Sequence, residues 1–301
     1  MTYDGVLTAP ATLARLERLV ALARRAPPEC ARLLRRRGRG LEAGSRRDYA
    51  PGDDLRRVDW AAYARLERLL TWVPEELLEP RLELIVDGSG SMGAGEPDPG
   101  LRARLVVASL AAAAVAREVR VAVWWSAAAP RRKAVSRPGE LVALLRFLGQ
   151  PTPAAGSHLV STARRAAEGA QGRGSAVLVT DGLDPACVPA AAQLGRRGFD
   201  PLVVVVEPRA ELSPGAATDA LAAGWVEVVD AETGARRRVA VSPRGLEEAL
   251  GRRRAATAAL CRALAERGIA ATVLGSTSPF EAVAVELLRG RRRIPSRTGP
   301  R

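Results

Sequence analysis

The chain has 301 residues, 47% of them hydrophobic, and a formal net charge of +13. Such a length and composition fit a soluble globular protein with one large core or two modest ones. Three widely spaced cysteines, Cys30, Cys187 and Cys261, contain no C-x-x-C pair, which argues against a disulfide framework or zinc knuckle and for a reducing cytoplasm.

From the N-terminus, "MTYDGVLTAPATLARLERL" lacks the basic-then-apolar order of a signal peptide, and the longest apolar run, "LVVASLAAAAVA", is too short to span a bilayer. No membrane span is expected. A helix is predicted over about 11–25, followed by an Arg-rich stretch. Residues 46–65, "RRDYAPGDDLRRVDWAAYAR", combine turn chemistry at Pro51 and Gly52 with charges of alternating sign. Two readings stay open for them: a salt-bridged lid fastening the N-terminal segment, or a docking surface. The first 80 residues are read as a helical, charged extension packed on a sheet domain that begins near residue 81.

Beyond residue 80 the pattern alternates strand and helix. "RLELIVD" and "RVAVWWS" read as buried strands around an alanine-rich helix; "RRKAVS" is a hairpin partner, and helices come next at "GELVALLRFLG" and about 157–168. "SAVLVTD", "DPLVVVVEP" and "IAATVLG" are further apolar strands, separated by helices at "VPAAAQLGRRG" and about 246–267. Continuous apolar strands between amphipathic helices predict an α/β fold: a doubly wound, mainly parallel sheet covered on both faces, over 81–290. "WVEVVDAETGARRRVAVS", about 225–242, interrupts this rhythm as an inserted β-hairpin turning at "ETG". The basic tail, 291–301, is expected to be disordered.

The basic clusters "RRRGRG", "GRRRAA" and "RGRRR" are scattered, hold few aromatics for base stacking and read as solvated faces, so no specific nucleic acid is expected. The chemistry is expected elsewhere, because an open α/β sheet binds ligands outside the carboxyl ends of its strands. Asp87 ends the first sheet strand and Asp181 ends "SAVLVTD"; Ser89, Ser91 and Ser157 stand in loops beside them. Together they offer five hard oxygens. A divalent ion such as Mg²⁺ takes about six oxygens and commonly keeps water among them. Neutral hydroxyls leave the ion residual positive charge, able to attract a carboxylate from another molecule. The bland alternative is that Asp87, Ser89 and Ser91 only cap a helix and line a turn.

D-x-S-x-S at 87–91, the hydroxyl at 157 and "TDG" at 180–182 resemble the metal-ion-dependent adhesion site of von Willebrand factor A domains. Ser157 stands where that family usually has threonine. A second resemblance covers more of the chain. Arg47, Tyr49, Pro51, Gly52, Asp53, Asp54, Arg56, Asp59, Trp60 and Arg65 match the R-x-Y-x-P-G-D-D-x-R-x-x-D-W stretch of the bacterial family called domain of unknown function 58, and "ELSPG" and "DAETG" also resemble it. The resemblance implies a binding partner, a MoxR-type AAA+ ATPase or its client, and a Mg²⁺ site, or one for Mn²⁺ or Ca²⁺.

Enzymatic classes fare less well on the residues. The single lysine, Lys133, lies outside any G-x-x-x-x-G-K-[ST] pattern, and "DGSGS" is not the G-x-S-x-G of a serine hydrolase elbow. A metal-dependent phosphodiesterase or phosphatase using Asp87 and Asp181, with Asp184, is the alternative to a non-enzymatic, metal-dependent binding module.

Overall fold

A computed structural model describes residues 3–27, 46–72, 81–94, 99–150, 153, 155–168, 174–207, 224–275 and 278–289. Cys30, the "RRRGRG" run, "ELSPG" and the 291–301 tail lie outside the described residues. Residues 1–35 and 81–301 form one compact unit, and 36–80 form another. The 1–80 segment thus divides, its first helices belonging with the sheet.

In the larger unit, six strands make one sheet: β3 (Arg81–Val86), β4 (Arg120–Trp125), β5 (Arg131–Val135), β6 (Gly174–Thr180), β7 (Phe199–Val206) and β10 (Ala270–Leu274). Their spatial order is β10-β7-β6-β3-β4-β5, all neighbours parallel except the antiparallel edge pair β4–β5. The central strands read as unbroken runs of Val, Leu, Ile and Ala because both of their faces are covered. This is the doubly wound, mainly parallel sheet expected from the sequence.

One face carries α4 (Pro99–Val115), α5 (Leu141–Gly149) and α9 (Ala282–Leu288), together with the N-terminal helices α1 (Asp4–Leu7) and α2 (Pro10–Arg25). Helix α4 is apolar around nearly its whole circumference, since it lies between the sheet and a second helical layer. Its alanines bring those layers close, and α2 is pinned by Arg15, which pairs with Glu281 at 2.5 Å and stacks over Phe280. The other face carries α6 (Leu159–Glu168), α7 (Cys187–Arg196) and α8 (Pro243–Ala265), closing a second core around Ile85, Leu178, Val203 and Leu264. Successive strand residues face opposite ways, so Trp125 enters the first core and Trp124 the second. Trp124 Nε1 donates to Glu83 at 2.6 Å; burial pushes that carboxyl above the usual carboxylate range despite the Trp124 and Arg81 contacts.

Strands β8 (Gly224–Val229) and β9 (Arg236–Val241) form a separate two-stranded antiparallel sheet. The hairpin therefore has the extent expected from the sequence but joins neither edge of the large sheet. Among the described residues, no helix is long and apolar enough to cross a membrane.

The smaller unit holds β1 (Arg46–Asp48), β2 (Leu70–Trp72) and helix α3 (Trp60–Leu66). Its acids are spent locally. Asp53 accepts from Ala50 N–H at 2.9 Å and pairs with Arg47 at 2.5 Å, and these contacts hold its carboxyl below the ordinary range. Asp54 accepts from Arg56 N–H, and Asp59 caps α3 through Ala62 N–H while pairing with Arg46. Gly52 sits at φ +108°, a conformation that the turn after Pro51 requires and that suits glycine. Tyr49 N–H donates to Leu69, Arg65 donates to the Ala61 carbonyl, and the exposed rings of Trp60 and Tyr63 meet edge to face at 6.3 Å. Arg47, Asp53, Arg56 and Asp59 thus build the module's own turn and helix cap.

Candidate metal centre

The strand order reverses between β3 and β6: from β3 the chain moves to β4, whereas β6 is followed outward by β7 and β10. That reversal opens a crevice at the carboxyl ends of the two central strands. The parallel register pairs Val86 with Val179, and Asp87 N–H continues the ladder to the Val179 carbonyl at 2.9 Å. Asp87 and Asp181 therefore leave the sheet side by side.

Four of the five candidate ligands, Ser89, Ser91, Ser157 and Asp181, line one cleft of about 440 Å³, together with Asp184 and Glu232. Ser89 and Ser91 turn their hydroxyls toward each other, Oγ to Oγ 3.2 Å. Asp87, the fifth, is 1% exposed: one carboxylate oxygen accepts from Ser89 N–H at 3.0 Å and the other from the Thr180 hydroxyl at 2.7 Å. Gly88 is wedged here, because a Cβ would come within 2.0 Å of the Ser126 carbonyl oxygen and 2.8 Å of Trp125 Nε1. Asp181 accepts from Leu183 N–H at 2.9 Å.

The ionised Asp87 carboxylate is costly without a counter-charge. Burial, with a smaller contribution from the neighbouring Asp181 carboxylate, pushes Asp87 up to about 6 against the hydrogen bonds that favour its ionised form. Asp184, 8% exposed, accepts from Ala186 N–H through one oxygen, while its buried Oδ2 has no hydrogen-bond partner among the described residues. An orphaned carboxylate oxygen calls for an explanation, and a cation in the cleft would supply one. Arg253 also lines the cleft, where its guanidinium donates to the Asp181 carbonyl at 2.6 Å and offsets part of the acidic charge. Among the described residues no three Asp, Glu, His or Cys side chains converge as a ligand set, so a cation here would depend on hydroxyl oxygens. That donor chemistry, hard and partly neutral, fits Mg²⁺, Mn²⁺ or Ca²⁺ and not a soft metal.

Three participants were not among the five ligands expected from the sequence. Thr180 lay within the "TDG" match but has its own role: its hydroxyl bridges Asp87 and Gly182 N–H. Asp184 entered only through the hydrolase alternative. Glu232 comes from the distant hairpin, and its one sequence signal was the tight "DAETG" reversal.

Fold and site together define an open α/β protein whose hydroxyl- and carboxylate-lined cleft lies at the point where strand order reverses. The chain belongs to the family described as Protein of unknown function DUF58, whose model matches residues 45–259. No curated protein matches it. Among solved structures it is similar to the conserved hypothetical protein BatB from Bacteroides thetaiotaomicron, at 15% identity over 69% of this chain and 97% of that one, with a TM-score of 0.44. An aerotolerance-related membrane protein from Bacteroides fragilis NCTC 9343 is similar at 16% identity, covering 69% of this chain and 98% of that one, also with a TM-score of 0.44.

Proposed function

We propose that this chain is a non-enzymatic, metal-dependent protein-binding module, with a von Willebrand factor A-type adhesion site formed by Asp87, Ser89, Ser91, Ser157 and Asp181. The observation that carries the reading is the meeting of Ser89, Ser91, Ser157 and Asp181, from three separate loops, in one cleft, with the buried Asp87 hydrogen-bonded to Ser89 N–H. When bound, a Mg²⁺, Mn²⁺ or Ca²⁺ ion would supply a positive charge that two carboxylates and neutral hydroxyls do not fully cancel. The chain's own residues do the rest: Asp87 is locked in place by Ser89 N–H and Thr180, and the serines hold neutral oxygens at the rim. Such a rim suits an acidic side chain from a partner.

The family resemblance points to a MoxR-type AAA+ ATPase, or that ATPase's client, as the partner in the cytoplasm. The immobilised chain should retain a purified ATPase of this type in Mg²⁺ and release it in EDTA. Retention indifferent to EDTA would contradict the reading. So would metal-dependent cleavage of a generic phosphodiester that disappears in Asp181→Ala.

A further inference from the structure

The hairpin reaches the cleft through its tip. Asp230 folds that tip by accepting from Glu232 and Thr233 N–H, both at 2.8 Å, while Asp230 N–H bonds the Ala235 carbonyl. The Ala231 carbonyl rests on Gly90, where a Cβ would come within 2.0 Å of it, so only glycine at 90 lets the tip approach this closely. The result is that one side chain, Glu232, bridges two of the loops that carry candidate ligands. Its Oε1 accepts from Ser91 N–H at 2.9 Å and its Oε2 from Gly156 N–H at 3.0 Å. Gly156 presents that N–H from a backbone at φ +95°.

Glu232 therefore shares one cleft with Asp181 and Asp184. Carboxylates that line one cleft, even without converging on a single point, favour a positive charge among them. Arg253 offers one such charge but binds a carbonyl, and Asp184 Oδ2 has no hydrogen-bond partner among the described residues. The two N–H donors hold the Glu232 carboxylate between the Ser91 and Gly156 loops, and a carboxylate there has the chemistry that an acid from another molecule would bring.

We infer that Glu232 is the resident carboxylate of this cation site, delivered in cis by the β8–β9 hairpin, and that an acidic partner engages the site by displacing it. The inference rests on the metal-binding reading proposed above. The hairpin suits release: its strands are exposed and, among the described residues, pair in the ladder with each other and not with the six-stranded sheet, so lifting the tip leaves that sheet intact. The partner chemistry implied is an exposed Asp or Glu at the tip of a loop, able to take both the cation and the Ser91 and Gly156 N–H groups.

Mn²⁺ alone serves as the probe, titrated calorimetrically into the full chain and into Glu232→Gln, with hydrogen exchange followed at residues 230–235. Glu232→Gln should weaken Mn²⁺ binding about tenfold or more, by loss of a charged ligand. In the unsubstituted chain Mn²⁺ should slow exchange at the tip, and in Glu232→Gln it should not. Glu227→Gln, on the same hairpin but paired with Arg236 in solvent, should bind as the unsubstituted chain does. Equal Mn²⁺ affinity in the Glu232→Gln and unsubstituted chains, with tip exchange indifferent to Mn²⁺ in both, would overturn this inference and leave the metal site standing. Absence of any Mn²⁺ binding to the unsubstituted chain would remove both.

Discussion

Asp87→Asn should abolish divalent-cation binding, lowering affinity at least a hundredfold, while making the metal-free protein more stable. The two effects share one cause. Asp87 is buried, and burial holds its carboxyl up at about 6, above the unfolded value of 3.8. A carboxyl whose pKa is higher in the folded state contributes stability that is complete below the unfolded value and lost as pH rises through the folded one. At pH 7.5 the metal-free chain therefore carries a charge that its surroundings disfavour. Asparagine has nearly the same shape, accepts from Ser89 N–H and removes that charge, so a gain of about 1–2 kcal/mol is expected. The gain should shrink as pH falls from 7.5 toward 5, because the native carboxyl is then protonated. Urea unfolding in EDTA at both pH values measures this. A loss of stability in Asp87→Asn, or loss of secondary structure by circular dichroism, would mean that Asp87 serves the fold and not a cation.

Arg104→Ala should produce the largest loss of stability of any single change considered. Arg104 projects from α4 and is 0% exposed. Its Nε donates to the Leu148 carbonyl at the end of α5 at 2.9 Å, and its guanidinium lies between two rings, 3.9 Å from the Tyr3 centroid and 4.4 Å from that of Trp125. Truncation removes both cation–π contacts, orphans a buried carbonyl and leaves a cavity, at a combined cost of about 3–5 kcal/mol. Arg104→Lys keeps the charge but not the flat stacking surface, and should lose about half as much. The effect should reach the cleft, because Trp125 packs beside Gly88 in the Asp87 loop. Urea midpoints for the three proteins measure the first expectation. A shift of less than about 1 kcal/mol in Arg104→Ala would show that the rings close over the gap.

The sheet was legible because its strands are short, apolar and bounded by turn residues, and because each aspartate follows such a run directly. Asp87 and Asp181 could be placed at strand ends on that basis. Their adjacency depends on strand order, with β3 beside β6, and pattern alone does not show which strands neighbour each other. The hairpin was legible from its alternating residues and its reversal. Its docking was not: the approach of Ala231 to Gly90, and with it the position of Glu232, is a tertiary contact with no period or motif of its own. The charged stretch at 46–65 illustrates the opposite limit. Alternating signs suggested a lid or a docking surface; what they did not show is that Asp53, Asp54 and Asp59 accept from Ala50, Arg56 and Ala62 N–H within the same stretch. Arg104 went unnoticed because, in a chain so rich in arginine, one buried guanidinium has the same sequence signature as a solvated one.

The site's oxygens lie where loop meets strand, and the account requires that they hold a divalent ion together. Calorimetric titration of Mg²⁺ into the metal-free full chain, beside Asp87→Asn, measures this most directly. One ion should bind per chain, with no detectable heat in the variant. Equal heats in both proteins, or none in either, would contradict the account.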